Sequence, residues 1–313
     1  ILGFLGLWTC RRNTDRSRGE EMVFLQVIVP KKESKEDKES TSEQFSSCQD
    51  FKEVVGVMDH LYQSLYGIFN SRVSRFWKGQ HYLSLEYAAL GGEILFFIVC
   101  PRSIAHLVEK QITSFYPDVI INEVEDYNIF TPDSHTASET LFPAEDYSFS
   151  FRTYAEMKSD PLNAITNAFS KLKDDEGAAV QFVIRPAASG WQKKLQKAAV
   201  KMINPKKTHA KWYNPVSWMS AVFSLLTSSE TSEVVSLDSA NDATGNRVTQ
   251  VQEERSKMLD EKALNPGYYC SIRTIGSAET AVKAQNVLAG IVTAFAQFDV
   301  VRGNSFKRPQ MSS

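Results

Sequence analysis

The chain is short of the residues and spacings that carry chemistry. Its four cysteines, Cys10, Cys48, Cys100 and Cys270, are scattered over 313 residues and form no C-x-x-C pair. They read as free thiols in a reducing compartment, buried at Cys100 and Cys270, rather than as a disulfide or metal framework. The five histidines, His60, His81, His106, His135 and His209, share no metal-ligand spacing with each other or with cysteine. His60 and His106 fall on helical stretches as surface or boundary residues. No G-x-x-x-x-G-K-[ST], G-x-S-x-G, H-E-x-x-H or G-x-G-x-x-G occurs, so no phosphate cradle, nucleophile elbow, zincin helix or dinucleotide fingerprint is present. Asp174-Asp175-Glu176 reads as a solvated turn. No cofactor and no catalytic residue is expected.

Charge of one sign is also lacking. A formal net charge of -2 excludes a nucleic-acid surface covering the whole molecule, while leaving room for a local basic patch. Long apolar runs are missing too. The opening Ile1-Leu-Gly-Phe-Leu-Gly-Leu-Trp8 is shorter than the about 20 residues a bilayer requires. Followed by Arg11, Arg12, Arg16 and Arg18, it reads either as the cytoplasmic end of a truncated transmembrane helix or as an apolar terminus packed on the domain. The first reading assigns 1–20 to a membrane-proximal segment.

What is present is a repeated order of elements. Residues 22–30 form an apolar strand, 31–47 a Lys/Glu/Ser-rich loop, and Phe51, Val54, Val55, Met58, Leu61, Tyr62, Leu65 and Phe69 one face of a helix. Ser47 and Asp50 are placed to cap it. Strands over 81–90 and 93–100 are joined by Gly91-Gly92, a two-residue hairpin signal. Pro101 opens a helix with Ile104, Leu107, Val108, Ile112 and Phe115 inward, and 119–124 is a fourth strand. This β-α-β-β-α-β order predicts a ferredoxin-like split βαβ sandwich over 21–126.

After a linker over 127–146, a second copy is predicted over 147–313. Tyr147, Phe149 and Phe151 alternate as in a half-buried strand. Asp160-Pro161 starts a helix striped by Leu162, Ile165, Phe169 and Leu172. Residues 178–185 form a buried strand and 267–275 the next. A helix capped by Ser277 carries Ala281, Ala284, Leu288, Ile291, Val292, Phe295 and Phe298, and 299–302 closes the unit. The fold class is therefore α+β: two ferredoxin-like antiparallel sandwiches in tandem, the second interrupted by a helical-hairpin insertion over 187–266. An RNA-binding sheet is disfavoured, since 93–99 lacks the basic and glycine positions of that motif.

The insertion carries the one basic concentration. Trp191, Leu195, Ala198, Ala199 and Met202 stripe its first helix, with Lys193, Lys194, Lys197 and Lys201 around it. Lys206, Lys207 and Lys211 extend the run to Trp212, and Trp218 lies in the apolar segment that follows. Three readings stay open: a solvated face with an apolar contact to a neighbouring subunit, a segment on an anionic membrane surface, or a DNA backbone contact.

Lys158-Ser-Asp160-Pro161-Leu162 through Leu172, Glu176-Gly177 through Gln181, Ile184-Arg185-Pro186, Lys262-Ala-Leu-Asn-Pro266-Gly267 through Arg273, Ala294-Phe295-Ala-Gln297-Phe298 and Asn304-Ser-Phe306 occur in a fixed order. Together they resemble the N-terminal, non-ATPase region of bacterial type IV secretion and conjugative-transfer ATPases. The resemblance implies a non-catalytic assembly or docking module on the cytoplasmic side of the bacterial inner membrane. It implies as partners a P-loop motor domain, in the same or a separate chain, and secretion-channel subunits, within a homo-oligomeric full-length protein. A free-standing nucleic-acid-binding protein using the basic insertion is the alternative.

Overall fold

A computed structural model describes residues 19, 21–29, 43–68, 75, 79–157, 159–188, 190–203, 250–301 and 303–307. Apolar alternation and helical stripes produce, in order, β1 (Met22–Ile28), α1 (Glu43–Leu65), β2 (Leu83–Leu90), β3 (Glu93–Pro101), α2 (Arg102–Phe115), β4 (Ile120–Val124) and β5 (His135–Pro143). Then follow α3 (Leu162–Phe169), β6 (Gly177–Pro186), α4 (Gly190–Ile203), α5 (Gln250–Leu264), β7 (Tyr268–Ala278), α6 (Ala281–Ala294) and β8 (Phe306–Lys307).

All eight strands belong to one sheet, ordered β4-β1-β3-β2-β6-β7-β5-β8, and every neighbouring pair is antiparallel. Read inward from either edge, each half presents its fourth, first, third and second strand. The halves meet where β2 pairs with β6, with Ala88 opposite Ala179 and Ala89 opposite Ala178. All four alanines are buried. Small side chains at that seam let the layers above and below close over the join without a gap.

The two faces differ. Odd positions of β2 (Leu83, Leu85, Tyr87, Ala89) point to the helices. There α1 and α2 pack Leu61, Leu65, Ile104, Val108 and Ile112 on one half, and α3 and α6 pack Ile165, Phe169 and Ile291 on the other, with Phe295 just beyond α6. The even face carries Phe97, Val99, Ala88 and Ala179, covered in part by Tyr127 and Ile129 from the segment after β4.

Several expectations are met. Gly91 and Gly92 take φ values of 58° and 81°, the left-handed pair that a two-residue hairpin turn requires. Asp160 Oδ1 accepts the Leu162 N–H at 2.8 Å at the start of α3. The hairpin is there as well: α4 and α5 share a small core of Leu195, Ala199, Leu259 and Ala263 beside Trp191.

Others are corrected. The stretch 127–146, expected as a linker, contains β5, which pairs with β7 from His135 to Leu141. Residues 147–152, expected as the strand, are irregular. Their alternation is used differently: Phe151 stacks on Phe306 at 4.3 Å, and the Arg152 N–H donates to Phe298 O. The closing strand is Phe306–Lys307 rather than 299–302, since Val300 and Gly303 close a turn instead. The two sandwiches expected in tandem have their strands in a single antiparallel sheet, a pairing the element order left open, because nothing in a strand's own pattern says which edge it will pair with.

Capping and burial need smaller corrections. Helix α1 starts at Glu43, so Ser47 and Asp50 lie within it. The cap of α6 is Thr280, whose hydroxyl accepts the Lys283 N–H, whereas Ser277 is buried and donates to Ser134 Oγ. Leu107 is exposed, because the inner face of α2 is filled by Ile104, Val108 and Ile112. Cys270 is exposed as a residue, yet burial of its thiol pushes the pKa up to about 11. Cys100 is buried, and burial together with the Glu123 charge pushes its thiol up to about 12.

Candidate docking surface

The helical hairpin is inserted between the adjacent strands β6 and β7, and its base is tied to the sheet at several points. Gln192 Nε2 donates to Ala263 O and Asn265 O, both at 3.0 Å, clamping the first turn of α4 to the last turn of α5. The Ala187 N–H donates to Gly267 O at 2.8 Å, and the Tyr66 hydroxyl donates to Ala187 O. Lys262 Nζ donates to Tyr147 O at 2.6 Å and to Phe149 O, and burial lowers its pKa from the usual lysine value. These bonds hold the base of the hairpin to the β6–β7 end and to the 147–149 segment.

At this base a cavity of about 320 Å³ opens between α1 and the β6–β7 end, lined by Asp59, Tyr62, Gln63, Ile184, Asn265, Pro266 and Tyr268. Tyr268 lies edge-on to both Tyr62 and Tyr66, and its hydroxyl donates to Tyr62 O. Burial raises the pKa of Tyr62 and Tyr268, so both hydroxyls stay neutral. Asp59 accepts the Tyr154 hydroxyl at 2.8 Å. Asp59 is the one carboxylate among the residues that line this cavity.

Lys193, Lys194 and Lys197 are exposed on α4, as the sequence pattern predicted. Val200, three residues after Lys197 on the same stripe, is 61% exposed, and Met258 on α5 is 51% exposed. The hairpin therefore shows apolar side chains beside cations once its own core is filled. Lys201 lies in α4. Lys206, Lys207, Lys211, Trp212 and Trp218 fall outside the described residues, as does the apolar stretch 1–8.

A polar cluster on the even sheet face was not foreseen. Glu86 is 6% exposed, accepts the Tyr127 hydroxyl at 2.6 Å, and accepts Gln181 Nε2 at 3.2 Å. Tyr127 itself stacks on Phe97 with ring centroids 4.7 Å apart. Burial, then the Glu86 charge, raises the Tyr127 pKa. Burial and the same charge raise that of Asp126. In the sequence Glu86 alternates with apolar neighbours like any solvent-facing strand residue, and only the folding of Tyr127 over it makes it buried. Among the described residues no group of three or more His, Cys, Asp or Glu is placed to hold a metal ion. Among them, too, no helix is long and apolar enough to cross a membrane.

The fold and its surfaces define an α+β protein built on one continuous antiparallel sheet with a helical hairpin projecting from its second half. The family model described as "Domain of unknown function (DUF8128)" matches residues 55–304, and the chain belongs to that family. Comparison with curated proteins finds no match.

Proposed function

We propose that the two halves of the sheet are ferredoxin-like split βαβ units in tandem, fused edge to edge, and that the whole is a non-catalytic docking module. The repeated fourth-first-third-second strand order supports the first part. The observation that carries the second is the hairpin. It has its own core in Leu195, Ala199, Leu259 and Ala263, is tied at its base, and still shows Val200 and Met258 beside exposed lysines. Apolar side chains left exposed beside cations on a projecting hairpin suit a protein–protein contact.

The resemblance in the motifs spread over 158–306 supplies the setting: an assembly component of a type IV secretion or conjugative-transfer ATPase. In this reading it works at the cytoplasmic side of the bacterial inner membrane. The P-loop motor and the channel subunits are its partners, within a homo-oligomer. The module contributes contacts and geometry, while the motor supplies the energy.

Binding of this chain to a P-loop motor of a type IV secretion system, followed by calorimetry, tests the proposal. The double variant Val200→Asp/Met258→Asp should keep its fold and lose at least tenfold in affinity. A chain in which 188–266 is replaced by a short turn should behave likewise. Undiminished binding by both forms would remove the hairpin from the contact, and no binding by the parent chain would sink the assembly reading.

A further inference from the structure

On the even face of the second half, β6, β7, β5 and β8 set out a second feature that the hairpin does not use. Residues directly opposite each other in a sheet share a face. Gln181, Arg273 and Thr140 form one such row, Arg185 and Tyr269 another, and Phe142 and Lys307 a third. Ile184, Ile272, Leu141 and Phe306, their neighbours in sequence, are packed in the cores under the helices, so the rows lie on the opposite face. Arg185, Arg273 and Lys307 are exposed, Tyr269 is 57% exposed and Phe142 46%. The Arg185 guanidinium sits 5.4 Å from the centroid of the Tyr269 ring, and Lys307 Nζ donates to Ala144 O at 3.3 Å. These four strands place no Asp or Glu on this face: the one carboxylate among them, Glu139, alternates to the other side.

We infer that this strip binds a single-stranded polynucleotide. Three cations on strands that carry no carboxylate on this face suit a phosphate backbone, and two exposed aromatic rings suit unstacked bases. Glu86, opposite Gln181 on the adjoining β2, is buried under Tyr127. The distance from Tyr269 to Arg273 along β7 is about 13 Å. That is the length of about four nucleotides at a stacked rise of about 3.4 Å. Ring faces and side-chain cations read neither base identity nor the sugar, so the surface is tolerant of sequence and takes DNA and RNA alike. A duplex hides its base faces and has nothing to offer Tyr269 and Phe142. The inference stands apart from the docking role of the hairpin.

The test is fluorescence anisotropy of the full chain with labelled 12-mer oligo(dT), oligo(rU) and a duplex of the same length, as a function of salt. Both single strands should bind within a few fold of each other and more tightly than the duplex. Tyr269→Ala and Phe142→Ala should each weaken binding roughly 5- to 100-fold, whereas Tyr269→Phe should keep it. Arg185→Gln, Arg273→Gln and Lys307→Gln should each reduce the salt slope by about 0.7. These side chains are exposed, and an unchanged melting curve confirms that each variant is folded. Absence of binding at low salt, a preference for duplex, or equal binding of an acidic peptide overturns the inference. So does binding that survives these changes but is lost in Lys193→Gln/Lys194→Gln/Lys197→Gln, since the site would then be the hairpin.

Discussion

The Tyr127 hydroxyl donates to the Glu86 carboxylate at 2.6 Å, and that contact closes the even face of the sheet over a buried charge. Tyr127 comes from the segment after β4 and Glu86 from β2, so the bond also fastens a connection between the two halves. No cation compensates Glu86 in the contacts that hold it: a phenol and the Gln181 amide share the task.

Tyr127→Phe should therefore destabilise the fold by about 2 kcal/mol, since a hydrogen bond to a charged group is removed and the carboxylate stays buried. Glu86→Gln keeps an acceptor for the phenol and removes the charge, so it should be neutral or stabilising. Urea unfolding midpoints compare the two. A Tyr127→Phe variant as stable as the parent would show that water replaces the bond without loss.

Asn304 is fully buried and serves the backbone of the 145–149 turn. Its Oδ1 accepts the Glu145 and Ser305 N–H groups, and its Nδ2 donates to Glu145 O, Asp146 O and Phe149 O. Asn304→Ala leaves several partly buried backbone groups without their partner and should lose about 1–3 kcal/mol. Asn304→Asp sets a carboxylate against carbonyl oxygens and should lose at least as much. Hydrogen exchange should show the loss first at the amide of Glu145. Protection there equal to the parent's would contradict the role given to Asn304.

At Gly267 a Cβ would come within 2.4 Å of the Trp191 ring. Gly267→Ala should destabilise by about 1–3 kcal/mol through overpacking at the hairpin base. Trp191→Leu in the same chain should recover part of that loss, because the clash is with that ring. A double variant no better than the sum of the singles would place the strain elsewhere.

Tyr62, Tyr127 and Tyr268 all hold their protons more tightly in the folded chain than an ordinary tyrosine, whose pKa is 10.0, chiefly through burial. The unfolded chain ionises first, so the stability these groups contribute is intact below pH 10.0 and declines as pH rises beyond it. Lys262 acts in the opposite sense: its folded value is lowered, and the cost of burying its charge is relieved as the pH climbs. Guanidinium unfolding at about pH 9 and about pH 11 should show a net fall, smaller in Tyr127→Phe. An unchanged or steeper fall in that variant would take Tyr127 out of the effect.

Much of this was legible in order along the chain. Gly91-Gly92 announces a hairpin, Asp160-Pro161 a helix start, and the Trp191–Ala199 stripe a helix whose partner is α5, because each is settled by neighbours a few residues away. The exposed Lys193, Lys194 and Lys197 followed from the same periodicity. The strip of Arg185, Tyr269, Arg273, Phe142 and Lys307 did not, since its members come from four strands as far as 165 residues apart, the span from Phe142 to Lys307. Tyr147, Phe149 and Phe151 misled for a related reason: alternation records which side chains pack, and here they pack from a loop.

Local pattern by itself decided that this chain is α+β, where most helices and strands lie, and that a helical pair interrupts the second half. Tertiary structure alone decided that the strands share one sheet, that His135–Pro143 supplies the missing strand, and that Glu86 is buried. The physical reason is that strand edges offer the same N–H and C=O groups whatever their side chains. Which edges meet, across the 95 residues from Glu86 to Gln181, is settled only when the cores on both faces close together.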